Sequence, residues 1–352
     1  MIELLLLLLA FIVGFYVAWN IGANDGANAV GAPIGGRLLS FKKGILLLVL
    51  FVLLGAALGS GRVMETVGEG IVVMEGGENP LTAVSEVAII ALFSAGFLVT
   101  ISTRYKIPVS TSQSIVGAVI GAGLFLSYGN LPADMAQSVS GVSVDLTIIL
   151  EIFLAWILTP LGSALIAFVL FQVADKGLRK IGSPTTLTRI FRWATVLASA
   201  FAAFSLGANT VGNATGLIFA VVGEGSQMGQ LAVSQTLIGL FGGVAVCIGA
   251  ITYSHKVIET VGEGITSLRS NTAFAAQFGA AITVFTFSRL GIPVSTSEAI
   301  VGGVAGVGLV RGAAAVSKKK LGKIGLTWVM NPLLAAGFTF AISWVVIGVI
   351  GV

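Results

Sequence analysis

The chain has 352 residues, of which 56% are hydrophobic and only 10% charged, with a mean hydropathy of +1.03. Soluble domains carry about 25% charged residues and do not repeat apolar runs of roughly 18 or more, so the composition excludes a soluble globular protein and makes the bilayer the solvent. The formal charge of +4 is small, no nucleic-acid partner is expected, and a lone cysteine, Cys247, excludes an internal disulfide framework.

The first apolar segment, from Leu4, follows Glu3 where a secretory signal would carry basic residues, and no small-residue cleavage pattern follows it. It reads as a retained membrane span. Within it stands GANDGANAVG, residues 22–31. An ionisable residue at membrane depth costs about 2.5–3.5 kcal/mol on insertion scales, so Asp25 needs a cavity or a partner and is a functional candidate by default. The glycines at 22, 26 and 31 predict a broken helix whose free backbone groups make a polar site lined by Asn24, Asp25 and Asn28.

Next comes ETVGEGI at 65–71, read as an interfacial or packing segment. IPVSTSQSIVGAVIGAGL follows at 107–124. Its Pro and three successive hydroxyls, Ser110, Thr111 and Ser112, with Gln113 after them, suit a helix N-terminus, where unpaired N–H donors and the positive dipole end favour an anion.

The chain then repeats itself. GANTVGNATG at 207–216 and IPVSTSEAIVGGVAGVGL at 292–309 both return at an offset of 185, ETVGEGI recurs at 259–265, and a Trp followed by Thr-Pro or Asn-Pro recurs at Trp156/Pro160 and Trp328/Pro332. Residues 1–175 are the first repeat, 176–192 a cytoplasmic linker and 193–352 the second repeat. In the second copy Asn209, Thr210 and Asn213 replace Asn24, Asp25 and Asn28, and Ser295, Thr296 and Ser297 match the first hydroxyl run.

Five crossings per repeat put seventeen of the nineteen Lys and Arg residues in one set of alternate loops, leaving Arg62 and Arg289 in the other. By the positive-inside rule the rich set is cytoplasmic, both termini are extracytoplasmic, and an odd number of crossings makes the repeats antiparallel. The expected fold is an all-α polytopic membrane protein of two inverted-topology repeats, with broken helices or re-entrant hairpins at the midplane. The IPVSTS segments are where spanning and re-entry both remain open. That architecture belongs to secondary transporters, whose substrate sits where the halves meet.

Two hydroxyl runs from inverted halves offer donors to a small tetrahedral oxyanion. No Lys or Arg lies inside these blocks, so a cation must offset the anion and Asp25, and sodium suits carboxylate, amide and backbone oxygens. An intramembrane hydrolase is disfavoured: the only histidine, His255, is expected in a cytoplasmic loop, G-x-S-x-G is absent and no Lys lies in a span. A passive channel and another oxyanion such as sulfate stay open on these residues alone.

GANDGANAVG with its echo GANTVGNATG, each followed by an IPVSTS block, resembles the inorganic phosphate transporter family of cation-coupled symporters. The resemblance implies inward phosphate transport, no enzymatic activity and no cofactor. It implies that Asn24, Asp25 and both Ser-Thr-Ser runs belong to the translocation site, to which the reading of the repeated blocks adds Asn28, Gln113, Asn209, Thr210 and Asn213 as substrate-binding candidates. Sodium, the coupling ion favoured over a proton, is expected at Asn24, Asp25 and Asn209, with Glu298 and Gln277 as weaker ligands. Thr210 stands where the family usually has a second Asp, and Val52 where animal members have Glu; both departures remove an acid and leave the cation stoichiometry open. Phosphate, sodium and the bilayer are the expected partners, in the cell membrane, and Gly-rich faces permit a homodimer.

Overall fold

A computed structural model describes residues 2–74, 85–104, 109–139, 141–178, 183–222, 233–264, 270–310 and 318–350. The first half contains α1 (Ile2–Gly35), α2 (Phe41–Gly59), α3 (Gly61–Glu65), which passes into a π turn at Thr66–Gly70, then β1 (Val72–Met74), α4 (Ser85–Arg104), α5 (Thr111–Tyr128), α6 (Ala133–Ser138), β2 (Val142–Val144) and α7 (Leu146–Leu178). The second contains α8 (Pro184–Leu206), a π turn at Gly207–Val211, α9 (Gly212–Val222), α10 (Gln235–Gly264), α11 (Ser270–Arg289), α12 (Thr296–Val310) and α13 (Lys318–Ser343), which ends in a π stretch at Trp344–Val349. Only residues 179–183 separate the helices on either side of the expected linker.

Eight of these helical segments are long and apolar enough to cross a membrane, while Thr296–Val310 is a shorter apolar helix. Large side chains such as Leu8, Ile12, Leu46, Leu50, Leu154, Leu161, Leu165 and Leu333 are exposed on the outside of the bundle, as a lipid-facing surface requires. The interior is built from Ala, Gly, Val and Ile, with buried polar side chains that include Asp25 of α1, Asn209, Thr210 and Asn213 of its copy, and members of both hydroxyl runs. One feature is outside the all-helical expectation: β1 and β2 pair antiparallel, Val73 opposite Ser143, and form a short ribbon against the far end of α5.

The repeats interlock through glycines. A Cβ on Gly22 would strike the Val246 carbonyl, and one on Gly249 the Trp19 carbonyl. The inverted copies do the same, Gly207 against Val52 and Gly55 against Phe204. Likewise Gly117 and Gly121 of α5 seat Pro332 and Ala336 of α13, while Gly302 and Gly306 of α12 seat Pro160 and Ala164 of α7. Each hydroxyl-bearing helix thus packs on the last long helix of the other repeat. Small residues permit backbone approach where no hydrophobic effect drives helices together.

These contacts explain a departure from the broken-helix expectation. The segment 22–31 runs unbroken inside α1, because Gly22 and Gly26 are used for close packing against Val246 and Ala250 of α10. Its copy does deviate: Gly207–Val211 is a π turn carrying Asn209 and Thr210, the kind of local widening found at functional sites. A second correction concerns His255, which lies within helix α10 and not in a loop, since that helix continues to Gly264.

Candidate functional site

Asp25 is 1% exposed, near the centre of the bundle. Its Oδ2 accepts from Thr111 Oγ1 at 2.7 Å. Its Oδ1 accepts from Asn24 Nδ2 at 3.2 Å, and from Asn28 Nδ2 and Ser297 Oγ at 3.5 Å each. A carboxylate at this depth is tolerated because donors from three helices converge on it.

Two further contacts join the halves. Asn28 Nδ2 donates to Ser297 Oγ at 2.9 Å, and Asn213 Nδ2 donates to Ser112 Oγ at 2.8 Å. Asn28 and Asn213 are repeat copies of one another, as are Ser297 and Ser112, so the same bond is made twice across the interface. Gln113 and Glu298 are also copies of one another, and they touch: Gln113 Nε2 donates to Glu298 Oε1 at 2.6 Å. A residue that contacts its own copy lies on the pseudo-twofold axis, which therefore passes between these two side chains. Gln113 Oε1 and Glu298 Oε2 find no partner among the described residues.

The hydroxyl runs divide their work. The leading serines cap: Ser110 Oγ accepts from Gln113 N at 3.3 Å, and Ser295 Oγ from Glu298 N at 3.2 Å. The residues after them face the cluster, Thr111 onto Asp25, Ser112 onto the Val294 carbonyl at 2.8 Å, and Thr296 and Ser297 onto Asn28. Both helix N-termini, with their unpaired N–H groups and positive dipole ends, therefore begin at this cluster. Ile107 and Pro108 lie outside the described residues.

The remaining predicted residues sit as follows. Gln277 Nε2 donates to the carbonyls of Asn28 and Ala29 at 2.8 and 3.0 Å, which fixes α1 against α11. Asn209 accepts from Asn213 at 3.2 Å and donates to the Ile292 carbonyl at 3.4 Å; no described hydrogen bond joins it to Asn24 or Asp25. Thr210 Oγ1 is buried without a partner among the described residues. Val52 is fully buried beneath Gly207.

Two bracing side chains are additions to the sequence reading. Asn331 Nδ2 donates to the Ser110 carbonyl at 2.7 Å and to Ser114 Oγ at 3.0 Å, and Trp156 Nε1 donates to the Pro293 carbonyl at 3.1 Å. Both belong to the repeated Trp-Pro blocks, and each holds the IPVSTS segment of the opposite repeat. The signal was visible as a repeat; its partner was not.

Among the described residues no three His, Cys, Asp or Glu side chains converge. The central set is instead the carboxylate of Asp25, with that of Glu298 on the axis beside it, and amide and hydroxyl oxygens, a hard-cation set together with amide, hydroxyl and helix-end donors that suit an oxyanion.

Inverted repeats meeting at a buried polar centre define a membrane transporter architecture. The comparisons with known proteins make this specific: the chain belongs to the phosphate transporter family, whose model matches it twice, over residues 21–181 and 178–339. The protein named "Putative phosphate permease MJ0630" of Methanocaldococcus jannaschii is 30% identical over 90% of this chain and 89% of its own. "Putative phosphate permease PF1020" of Pyrococcus furiosus is 28% identical over 85% of this chain and 86% of its own. A solved structure described as the sodium-dependent phosphate transporter superposes with a TM-score of 0.82 at 28% identity, covering 98% of this chain and 99% of that one. The protein is a multi-pass membrane transporter and not an enzyme.

Proposed function

We propose that the protein imports inorganic phosphate by symport with a cation, sodium in preference to a proton, through alternating exposure of the central cluster. The observation that carries this is the doubled Asn–Ser bond across the interface, with one carboxylate, Asp25, inside it. Phosphate would exchange those mutual bonds for its own, accepting from Thr111, Ser112, Thr296, Ser297, Asn28 and Asn213 and from the two helix N-termini. Ser110 and Ser295 keep those helices capped. Sodium, a transported ion here, would be held by Asp25 and Asn24, with Asn209, Gln277 and Glu298 supplying weaker contributions. It would offset the repulsion between carboxylate and oxyanion. Because the bonds that close the cluster run between repeats, moving one repeat against the other opens it, which links binding to rocking.

The repeat division at 1–175 and 193–352, and an orientation with both termini extracytoplasmic, follow from the same reading. The transporter of similar structure is described as sodium-dependent, and this supports the choice of ion. The test is uptake of labelled phosphate into proteoliposomes under an inward sodium gradient, a proton gradient or neither. Accumulation above equilibrium under sodium alone is expected. Proton-driven accumulation would reassign the ion, and gradient-independent equilibration would replace the symporter with a channel.

A further inference from the structure

A second set of charges is duplicated by the repeat and takes no part in the central cluster. The segment RVMETVGEGI, from Arg62 to Ile71, returns as KVIETVGEGI from Lys256 to Ile265. In the same way, Arg104 and Arg289 each stand four residues before the Pro of an IPVSTS block. Each repeat therefore carries one cation three residues before the first Glu of its ETVGEGI block and another at the end of the helix before its hydroxyl run. Of these four, Arg62 and Arg289 meet at one mouth of the bundle.

Arg62 Nη1 donates to the Arg289 carbonyl, and both residues line a cavity of about 220 Å³ with Ser60, Glu65, Gln235 and Ser288. The turn after Arg289 is fixed against Arg62 by Gly291, whose φ of +80° is a left-handed conformation that favours glycine. Glu65, the acid among the lining residues, accepts from Gln235 Nε2 at 2.6 Å, and the lining residues comprise two arginines against one glutamate. Glu69 on the next turn does not line it, and partial burial, then the neighbouring Glu65, push its carboxyl above the usual range. From Arg289 the chain runs through the non-helical residues 290–295 to Ser295, a reach of at most about 20 Å. One segment thus borders both the cavity and the central cluster.

We propose that this cavity is a docking site for inorganic phosphate at the outer mouth, where Arg62 and Arg289 capture the anion before it reaches the central cluster. The proposal rests on the transport reading above. Guanidinium groups match phosphate oxygens in a planar fork, and a cationic recess raises the local anion concentration in a salt-dependent way.

The test is phosphate uptake by intact cells lacking other phosphate uptake, which fixes the outer face, with rates normalised to surface expression. Each of Arg62→Gln and Arg289→Gln is expected to raise KM about three- to tenfold with Vmax within about twofold. Arg62→Lys keeps KM within about twofold, and Glu65→Gln, which removes the opposing charge, lowers it about two- to threefold. Added choline chloride at constant sodium should raise KM in the wild type and much less in Arg62→Gln. Unchanged KM in both Arg variants would overturn the proposal. So would loss of Vmax alone, or a Glu65→Gln shift in the same direction as Arg62→Gln; these mark a brace and not a docking site. Failure of the transport reading shows separately, as absent phosphate accumulation in the wild type.

Discussion

Around Asn28 and around Asn213 the chain builds one contact twice, an asparagine amide on a serine hydroxyl of the opposite repeat, at 2.9 and 2.8 Å. Beside the first lies Asp25, with donors from Thr111, Asn24, Asn28 and Ser297; beside the second lies Thr210, whose hydroxyl finds no partner among the described residues. Geometry is shared and charge is not. The shared part fits a symmetric oxyanion held between two halves, whereas at the unshared position only the first half has a carboxylate, the second half's nearest acid being Glu298 on the axis. The frame is duplicated, and the proposed cation site rests on the difference between Asp25 and Thr210 within it.

The comparison breaks most directly at the two unlike positions. Asp25→Asn is expected to lower sodium-driven phosphate uptake about a hundredfold, the scale set by hydrogen bonds to a buried charge at ~1.5–3 kcal/mol. Initial rates in proteoliposomes check this, and an equal loss in Thr210→Val would erase the distinction. Next in size, Thr111→Val removes the 2.7 Å bond to Asp25 and should cost about tenfold in rate, with the KM for sodium raised. Thr296→Val, which removes a 3.5 Å acceptor for Asn28 and one of the proposed phosphate donors, should cost less, about three- to fivefold, seen as a higher KM for phosphate.

The symmetric frame gives a control. Gly117→Val and Gly302→Val push a side chain into the backbone at Pro332 and Pro160 respectively. Both should destabilise the detergent-solubilised protein by about 1–3 kcal/mol and by similar amounts, read as matching falls in melting temperature. The smallest effect belongs to Thr210→Val. Replacing an unpartnered buried hydroxyl with an isosteric methyl should leave uptake within about twofold and raise the melting temperature slightly.

Much of this was legible in the chain because duplication writes the same motif twice. The spans, the antiparallel halves, Asp25 and the hydroxyl runs follow from apolar length, loop charge and an offset of 185. The glycines of 22–31 were ambiguous for a physical reason: a glycine serves equally to break a helix or to admit a neighbour, and only the carbonyl of Val246 over Gly22 decides it. The π turn at Gly207–Val211 leaves no periodic signal. Pairing of Val72–Met74 with Val142–Val144 joins segments about 70 residues apart and has none either. Gln113 and Glu298 were visible as equivalent positions, but that they meet depends on where the pseudo-twofold axis falls.

The central claim is that the carboxylate half is the cation site and that its occupancy promotes phosphate binding. The direct measurement is phosphate affinity of the purified protein, by calorimetry at low and high sodium with ionic strength held by choline, for wild type, Asp25→Asn and Thr210→Val. Sodium should tighten phosphate binding in the wild type and in Thr210→Val by the same factor, and binding linkage requires phosphate to tighten sodium reciprocally. Asp25→Asn should abolish that dependence. If sodium strengthens phosphate binding equally in Asp25→Asn, the cation is held elsewhere and the account is wrong.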